Sequence, residues 1–297
     1  LGGLDLVVSW VGLVLVVLVA IAIFGGIKRI AKFAEMFVPI KAGLYLAAAF
    51  YIAFSNYEVV PEVFKLIFTE AFQFNAAAGG FFGGMISMAM MQGIKRGLFS
   101  NEAGMGSAPN AAAASDVKHP VDQGLVQMLG VFVDTFIVCT STAMIILISG
   151  VYHDTSVMGV EMTQRALEME LGGWGGDFLA VLLFLFCYSA VLGNYAYAEG
   201  NMQFINNSPK VMFAFRILVL IMVYFGAISG VPLVWSMADL FMGIMATINL
   251  TAILLLTPYA RTLLKDYTAQ LRGGKKDPEF KIDQYPEMKK RVDSDIW

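Results

Sequence analysis

Charge is scarce in this chain. Asp, Glu, Lys and Arg make up 14% of its 297 residues, against about 25% in an average soluble domain. So little charge cannot clothe a globular surface in water. The 58% hydrophobic share and a mean hydropathy of +0.69 fit a lipid bilayer instead. The formal net charge of −3 is too small to draw a nucleic acid, so none is expected as a partner. Cysteine is equally sparse: Cys139 and Cys187 both lie in apolar runs and form no CxxC pair, which excludes a disulfide framework or a thiolate metal site. The two histidines, His119 and His153, fall in separate connections and suggest no metal. There is no HExxH, no P-loop and no GxSxG, and GMGSAP at 104–109 holds a GxG without the strand and helix of a dinucleotide site. The chain is therefore not expected to be an enzyme or to carry an organic cofactor. It begins at Leu1 with no basic n-region or cleavage site, and a preceding N-terminal part is expected.

Long apolar runs are what the sequence does have. Seven of them, at 4–24, 38–55, 68–96, 124–150, 177–198, 211–230 and 235–257, are long enough to cross about 30 Å of hydrocarbon as helices. Proline marks their ends at Pro61, Pro109, Pro120, Pro209, Pro232 and Pro258, and Pro39 is expected to open the second span. Basic residues set the orientation. Lys28, Arg29 and Lys32 place the first connection inside; Glu58, Glu62 and Glu70 place the next outside. Lys95, Arg96 and Lys118 return inside, the acidic loop 151–176 lies outside, and Lys210 and Arg216 lie inside. Residues 1–257 thus form a transmembrane domain, and 258–297, with Lys275, Lys276, Lys289 and Lys290, a charged cytoplasmic tail. Two external segments, 61–72 and 162–171, look amphipathic; the second is followed by GGWGG at 172–176.

Several polar features interrupt the apolar runs. GGFFGG breaks the third run after Asn75; Gly79, Gly80, Gly83 and Gly84 either open the helix, freeing backbone groups for a zwitterion or ion, or form two GxxxG packing faces. The length of that run favours a break. The stretch 95–109, KRGLFSNEAGMGSAP, is polar and Gly-rich at a membrane edge, where irregular backbone survives only under protein or beside a watery cavity. Asp134 and Asp239 are ionisable residues in or near spans, read as a proton relay, an ion site or solvated boundary residues. Neither sits in the Tyr-Asp or GxGD setting of an intramembrane aspartyl protease. Ser189, Asn194, Tyr195, Tyr197 and Glu199 form a polar stripe late in the fifth run; Ser189 either ligates sodium with nearby carbonyls or bonds back to its own helix. Thr140-Ser141-Thr142 is expected to bond back to its helix. Asn249, central in the last run, needs an interhelical partner. Trp235 is an aromatic-belt residue or a lid.

GIKRGLFSNEAGMGSAPNAAAAS at 93–115 resembles the signature of the alanine/glycine:cation symporters, the sodium:alanine symporter family. Residues 25–39, 119–150, 189–201 and 234–250 fit the same family, so the resemblance covers nearly all of the chain except the tail. It implies an all-α polytopic protein of the leucine-transporter-like inverted-repeat fold, in which the seven spans look like core helices four to ten. The glycine break then falls on the discontinuous sixth core helix, and Gly79, Gly80, Gly83 and Gly84 are expected to meet substrate through backbone, with Trp235 aiding occlusion. Ser189 on the eighth core helix is expected to ligate sodium, although Ala190 stands where the fold commonly supplies a second hydroxyl. Ser100, Asn101, Glu102, Gly104 and Gly106 are expected to act as an inner gate or hinge. The function implied is sodium-coupled uptake of L-alanine, D-alanine or glycine across the cell (inner or plasma) membrane. A proton-coupled carrier using Asp134 is the rival, and an intramembrane protease the remote one.

Overall fold

A computed structural model describes residues 2–72 and 88–290. Every regular element among them is helical. In chain order these are α1 (Gly2–Phe24), α2 (Ile27–Ser55), α3 (Val60–Phe72), α4 (Met88–Ser100), α5 (Ala108–Ala113), α6 (Pro120–Val133), a π-helical turn (Asp134–Cys139), α7 (Thr140–Ser149), a 3-10 turn (Val151–His153), α8 (Val160–Leu171), α9 (Trp174–Ile205), α10 (Pro209–Ile228), α11 (Val231–Arg272), a second 3-10 turn (Ile282–Gln284) and α12 (Pro286–Lys289).

Five stretches are long and apolar enough to cross a membrane: Ile30–Ser55, Pro120–Ser149, Trp174–Ile205, Pro209–Ile228 and Val231–Arg272. Each corresponds to one of the seven predicted runs. The first run supplies α1, whose apolar part is Val8–Phe24. The third run, 68–96, extends beyond the described residues. Helices this apolar keep their hydrophobic side chains outward: Leu254 and Leu255 are 75% and 72% exposed, which is costly in water and favourable in lipid. The chain is a polytopic helical membrane protein.

Two helix boundaries depart from the sequence expectation. The connection expected at 25–37 is helical from Ile27, and Pro39 lies inside α2 rather than at its start. Its residues, IKRIAKFAEMF, are mostly good helix formers, and their charges mark a membrane side rather than a break. Pro258 likewise lies inside α11, which runs on to Arg272. Proline inside a membrane helix is tolerated because neighbouring helices and local adjustment satisfy the freed carbonyl. The amphipathic segments predicted at 61–72 and 162–171 are the helices α3 and α8.

The chain divides into two units. The first comprises residues 1–97 and 134–234. Its core has two parts. In one, Tyr45, Ala49 and Ile52 of α2 meet Ile145 of α7, Ala166 and Leu167 of α8, and Leu179 and Leu182 of α9. In the other, Val19, Ala22 and Ile23 of α1 pack with Ile30 of α2 and with Leu192 and Tyr195 of α9. Helices α1 and α10 approach so closely that a Cβ on Gly12 would lie 3.0 Å from that of Ala227, the contact small residues permit between membrane helices.

The second unit comprises residues 98–133 and 235–297. Here the tail after α11 folds back: the Phe280 N–H donates to the Lys118 carbonyl at 3.0 Å, and Phe280 packs edge-on against His119. His119 is fully buried. Its Nδ1 accepts from the Val121 N–H at 3.1 Å, so Nε2 carries the proton and donates to Asp266 Oδ2 at 3.2 Å.

Candidate functional site

In the first unit, polar side chains gather on α9. Ser189 donates its hydroxyl hydrogen to the Phe186 carbonyl at 2.9 Å and accepts from the ammonium of Lys41, which comes from α2. Lys41 is 3% exposed. Its Nζ also faces the Leu185 carbonyl at 3.4 Å and the Phe186 ring at 4.6 Å. Further along α9, Glu199 is 2% exposed and pairs with Arg216 of α10 at 2.7 Å; Arg216 Nε donates to the Tyr195 hydroxyl at 3.0 Å. The polar stripe predicted on α9 therefore serves two basic partners, while Asn194 bonds back to the Ala190 carbonyl at 3.0 Å.

The basic partners are what sequence reasoning missed. Lys41 sits inside an apolar run, and a charge there points to function by default. Arg216 stands in the sequence reading only as a marker of the inner side.

Asp134 opens the π-helical turn between α6 and α7 and is half-buried; Cys139 Sγ lies 3.8 Å from its Oδ2. A π turn widens one turn of helix and often marks a functional site. Thr140 and Thr142 bond back to the carbonyls of Thr135 and Val138 as expected, at 3.1 and 3.2 Å. Thr142 also takes a partner from another helix, the Tyr45 hydroxyl at 2.7 Å. Outside the spans, the Ser156 hydroxyl and amide bond Asp154 and hold its carboxyl below the usual range, with Arg165 adding to the effect. That contribution exists above the unfolded carboxylate pKa and is lost as pH falls through the lowered one.

In the second unit, the motif NEAGMGS at 101–107 forms an irregular turn between α4 and α5. Its backbone is unusual at three points: Glu102 has φ 50°, Gly104 75° and Gly106 101°. Only glycine takes such values freely, and a glutamate there stores about 1–2 kcal/mol. The two glycines are also needed for space. A Cβ on Gly104 would lie 3.2 Å from Leu250, and one on Gly106 3.3 Å from Asn249, both on α11. Asn249 donates to the Gly104 carbonyl at 3.0 Å, so its predicted interhelical partner is this turn. Beside the turn lies a cavity of about 800 Å³ whose lining includes Glu102, Gly104, Gly106, Gln123, Gln127 and Asn249. Asn101 is half-buried and Ser100 exposed. Trp235, 41% exposed, packs edge-on against Phe99 with ring centres 5.6 Å apart. Gly79, Gly80, Gly83 and Gly84 lie outside the described residues. Among the described residues no group of three or more His, Cys, Asp and Glu could hold a metal.

Asn249 ties the turn to α11 by a single side-chain bond. Asn249→Ala is expected to cost about 1–2 kcal/mol, since the Gly104 carbonyl loses its donor. Melting in detergent would measure this, and a loss below a few tenths of a kcal/mol would show that water replaces the amide.

Apolar spans, buried charge on α9 and an irregular turn beside a cavity belong to a polytopic helical membrane protein. The chain belongs to the sodium:alanine symporter family, which matches residues 3–282. It is 55% identical over 290 residues to an uncharacterised transporter of Haemophilus influenzae, covering 97% of this chain and 60% of that protein. It is 51% identical over 269 residues to a probable sodium/glutamine symporter, GlnT, of Bacillus subtilis, covering 91% and 55%. It is 41% identical over 291 residues to a sodium/proton-dependent alanine carrier protein of Bacillus sp. strain PS3, covering 92% and 64%. The chain thus spans about 60% of the length of the relatives it matches.

Proposed function

We propose that this chain forms the C-terminal spans of a sodium-coupled symporter that carries a small neutral amino acid into the cell. The observation that supports this most is the family match over residues 3–282. Alanine, as either enantiomer, or glycine is the proposed substrate, and sodium the co-transported ion. In this reading the spans are core helices four to ten of an inverted-repeat fold, with the tail, residues 258–297, cytoplasmic. Backbone at Gly79, Gly80, Gly83 and Gly84 meets the substrate, Trp235 helps to occlude it, and Ser189 offers oxygen to sodium. Ser100, at the end of α4, and the turn holding Asn101, Glu102, Gly104 and Gly106 form the inner gate. The positive φ angles of Gly104 and Gly106 and the cavity beside them support that role, because glycine can change dihedral without a Cβ clash. Alternating access moves one bundle against another around a midplane site.

The second reading is proton coupling through Asp134. It is favoured by the half-buried carboxylate in a π-helical turn and by the name of the Bacillus sp. relative. One experiment separates the two: uptake of labelled alanine into liposomes holding the protein at its full natural length, under a sodium gradient or a proton gradient. Accumulation is expected with sodium alone, and Asp134→Asn is expected to retain it. Accumulation that follows protons and disappears in Asp134→Asn would overturn the sodium reading. Glutamine belongs in the same assay, given the B. subtilis relative; uptake of glutamine but not alanine or glycine would overturn the substrate.

A further inference from the structure

Lys41 lies at the midpoint of α2 (Ile27–Ser55), where a lysine would ordinarily reach for the membrane surface. Instead it is 3% exposed and turned onto α9. The groups that meet its ammonium directly are the Ser189 hydroxyl, the Leu185 carbonyl and the face of Phe186, with the Cys187 thiol nearby. Among the described residues no carboxylate pairs with it.

This is a neutral cradle for one positive charge. Hydroxyl and carbonyl oxygens are the ligands a hard cation prefers, and the ring face attracts any cation. The direction of the Ser189 hydroxyl matters as much. Its hydrogen is committed to the Phe186 carbonyl at 2.9 Å, so its lone pairs face Lys41. A bound metal ion would need that same orientation. Sodium and the ammonium therefore require the same oxygen in the same state. Two unit charges a few ångströms apart in a poorly screened site repel strongly, so one excludes the other.

We propose that Lys41 is a tethered cation that competes with sodium for the Ser189 position. The proposal rests on the reading of Ser189 as a sodium ligand and adds to it a built-in competitor. Sodium enters only when Lys41 leaves, so the side chain sets how much sodium the site demands. Lys41 is thus a specificity-determining residue for the ion rather than for the amino acid.

The test uses purified protein of full natural length and ²²Na⁺ as the probe, with alanine uptake measured in parallel. Lys41→Met keeps the unbranched shape of the side chain, one atom shorter, and removes its charge; Lys41→Gln is the second neutral variant, and Lys41→Arg retains the charge. The neutral variants are expected to bind sodium at least about tenfold more tightly than the native protein. Lys41→Arg is expected to gain no such affinity. Adding Ser189→Ala to Lys41→Met is expected to abolish the gain. Equal sodium affinity in the native, Lys41→Met and Lys41→Gln proteins would overturn the proposal. So would a gain that survives Ser189→Ala, because the ion would then sit elsewhere. A Ser189-dependent gain in binding with no alanine uptake in any variant would support the competitor and overturn the proposed substrate. Sodium-driven uptake with unchanged affinity would do the reverse.

Discussion

Replacing Arg216 with methionine is expected to destabilise the protein by about 3–5 kcal/mol. Arg216 holds two groups at once: the Glu199 carboxylate at 2.7 Å and the Tyr195 hydroxyl at 3.0 Å. Glu199 is 2% exposed, and its second oxygen already has no partner among the described residues. Removing the guanidinium leaves a buried carboxylate without its counter-charge, with only the neutral Tyr195 hydroxyl beside it, and desolvation then outweighs every contact the methionine could make. Glu199→Gln is expected to cost less, because Arg216 is about one-quarter exposed and can turn outward. The double variant Glu199→Gln/Arg216→Met is expected to recover most of the loss, since neither buried charge remains. A double-mutant cycle by melting in detergent measures this coupling. Additive single losses would mean that the pair is not a unit.

The spacing of that pair carries a signal of its own. Glu199 precedes the end of α9 by nearly the same distance that Arg216 follows the start of α10, and the connection at 206–208 is short. Two charges equidistant from a tight turn between antiparallel helices face one another, and that symmetry is legible in the sequence alone. Lys41 is hidden differently: the run around it is apolar enough to pass as a span despite one charge, and its partner Ser189 is far away in sequence. Pairings of that kind follow from tertiary packing, which hydropathy does not encode.

Helix identity is more legible than helix ends. Apolar length finds the five stretches that can cross a membrane, and amphipathic period finds α3 and α8. Proline misleads at Pro39 and Pro258, because a rule calibrated on water-soluble helices overstates its power to end a membrane helix. The proposed gate motif is legible as irregular backbone from its glycines. Its close approach to Asn249 and Leu250 is not, since nothing local in 101–107 says which helix lies against it.

The GGWGG motif gives the second large effect. Gly175→Ala is expected to cost about 3 kcal/mol, the upper end for overpacking. A Cβ at Gly175 would run into the carbonyl oxygen of Leu167, with the carbon behind it at 2.7 Å and the Glu168 nitrogen at 3.1 Å. These are backbone atoms of the last turns of α8, which cannot move aside alone. Leu167 is itself fully buried with Ala166 against Leu179 and Leu182. Pushing α8 away would therefore open that core as well as strain the turn. Neighbouring glycines supply the controls. Gly173 has φ −54° and nothing within 4 Å of an added Cβ, so Gly173→Ala is expected to be neutral or to stabilise by up to about 1 kcal/mol through the unfolded chain. At Gly176 the obstacle is the Glu168 side chain, whose carboxylate can swing outward, so Gly176→Ala is expected to fall between the two. Melting of the three variants in one detergent tests the order. If Gly175→Ala melts with Gly173→Ala, the close approach of α8 and α9 is not what this glycine provides.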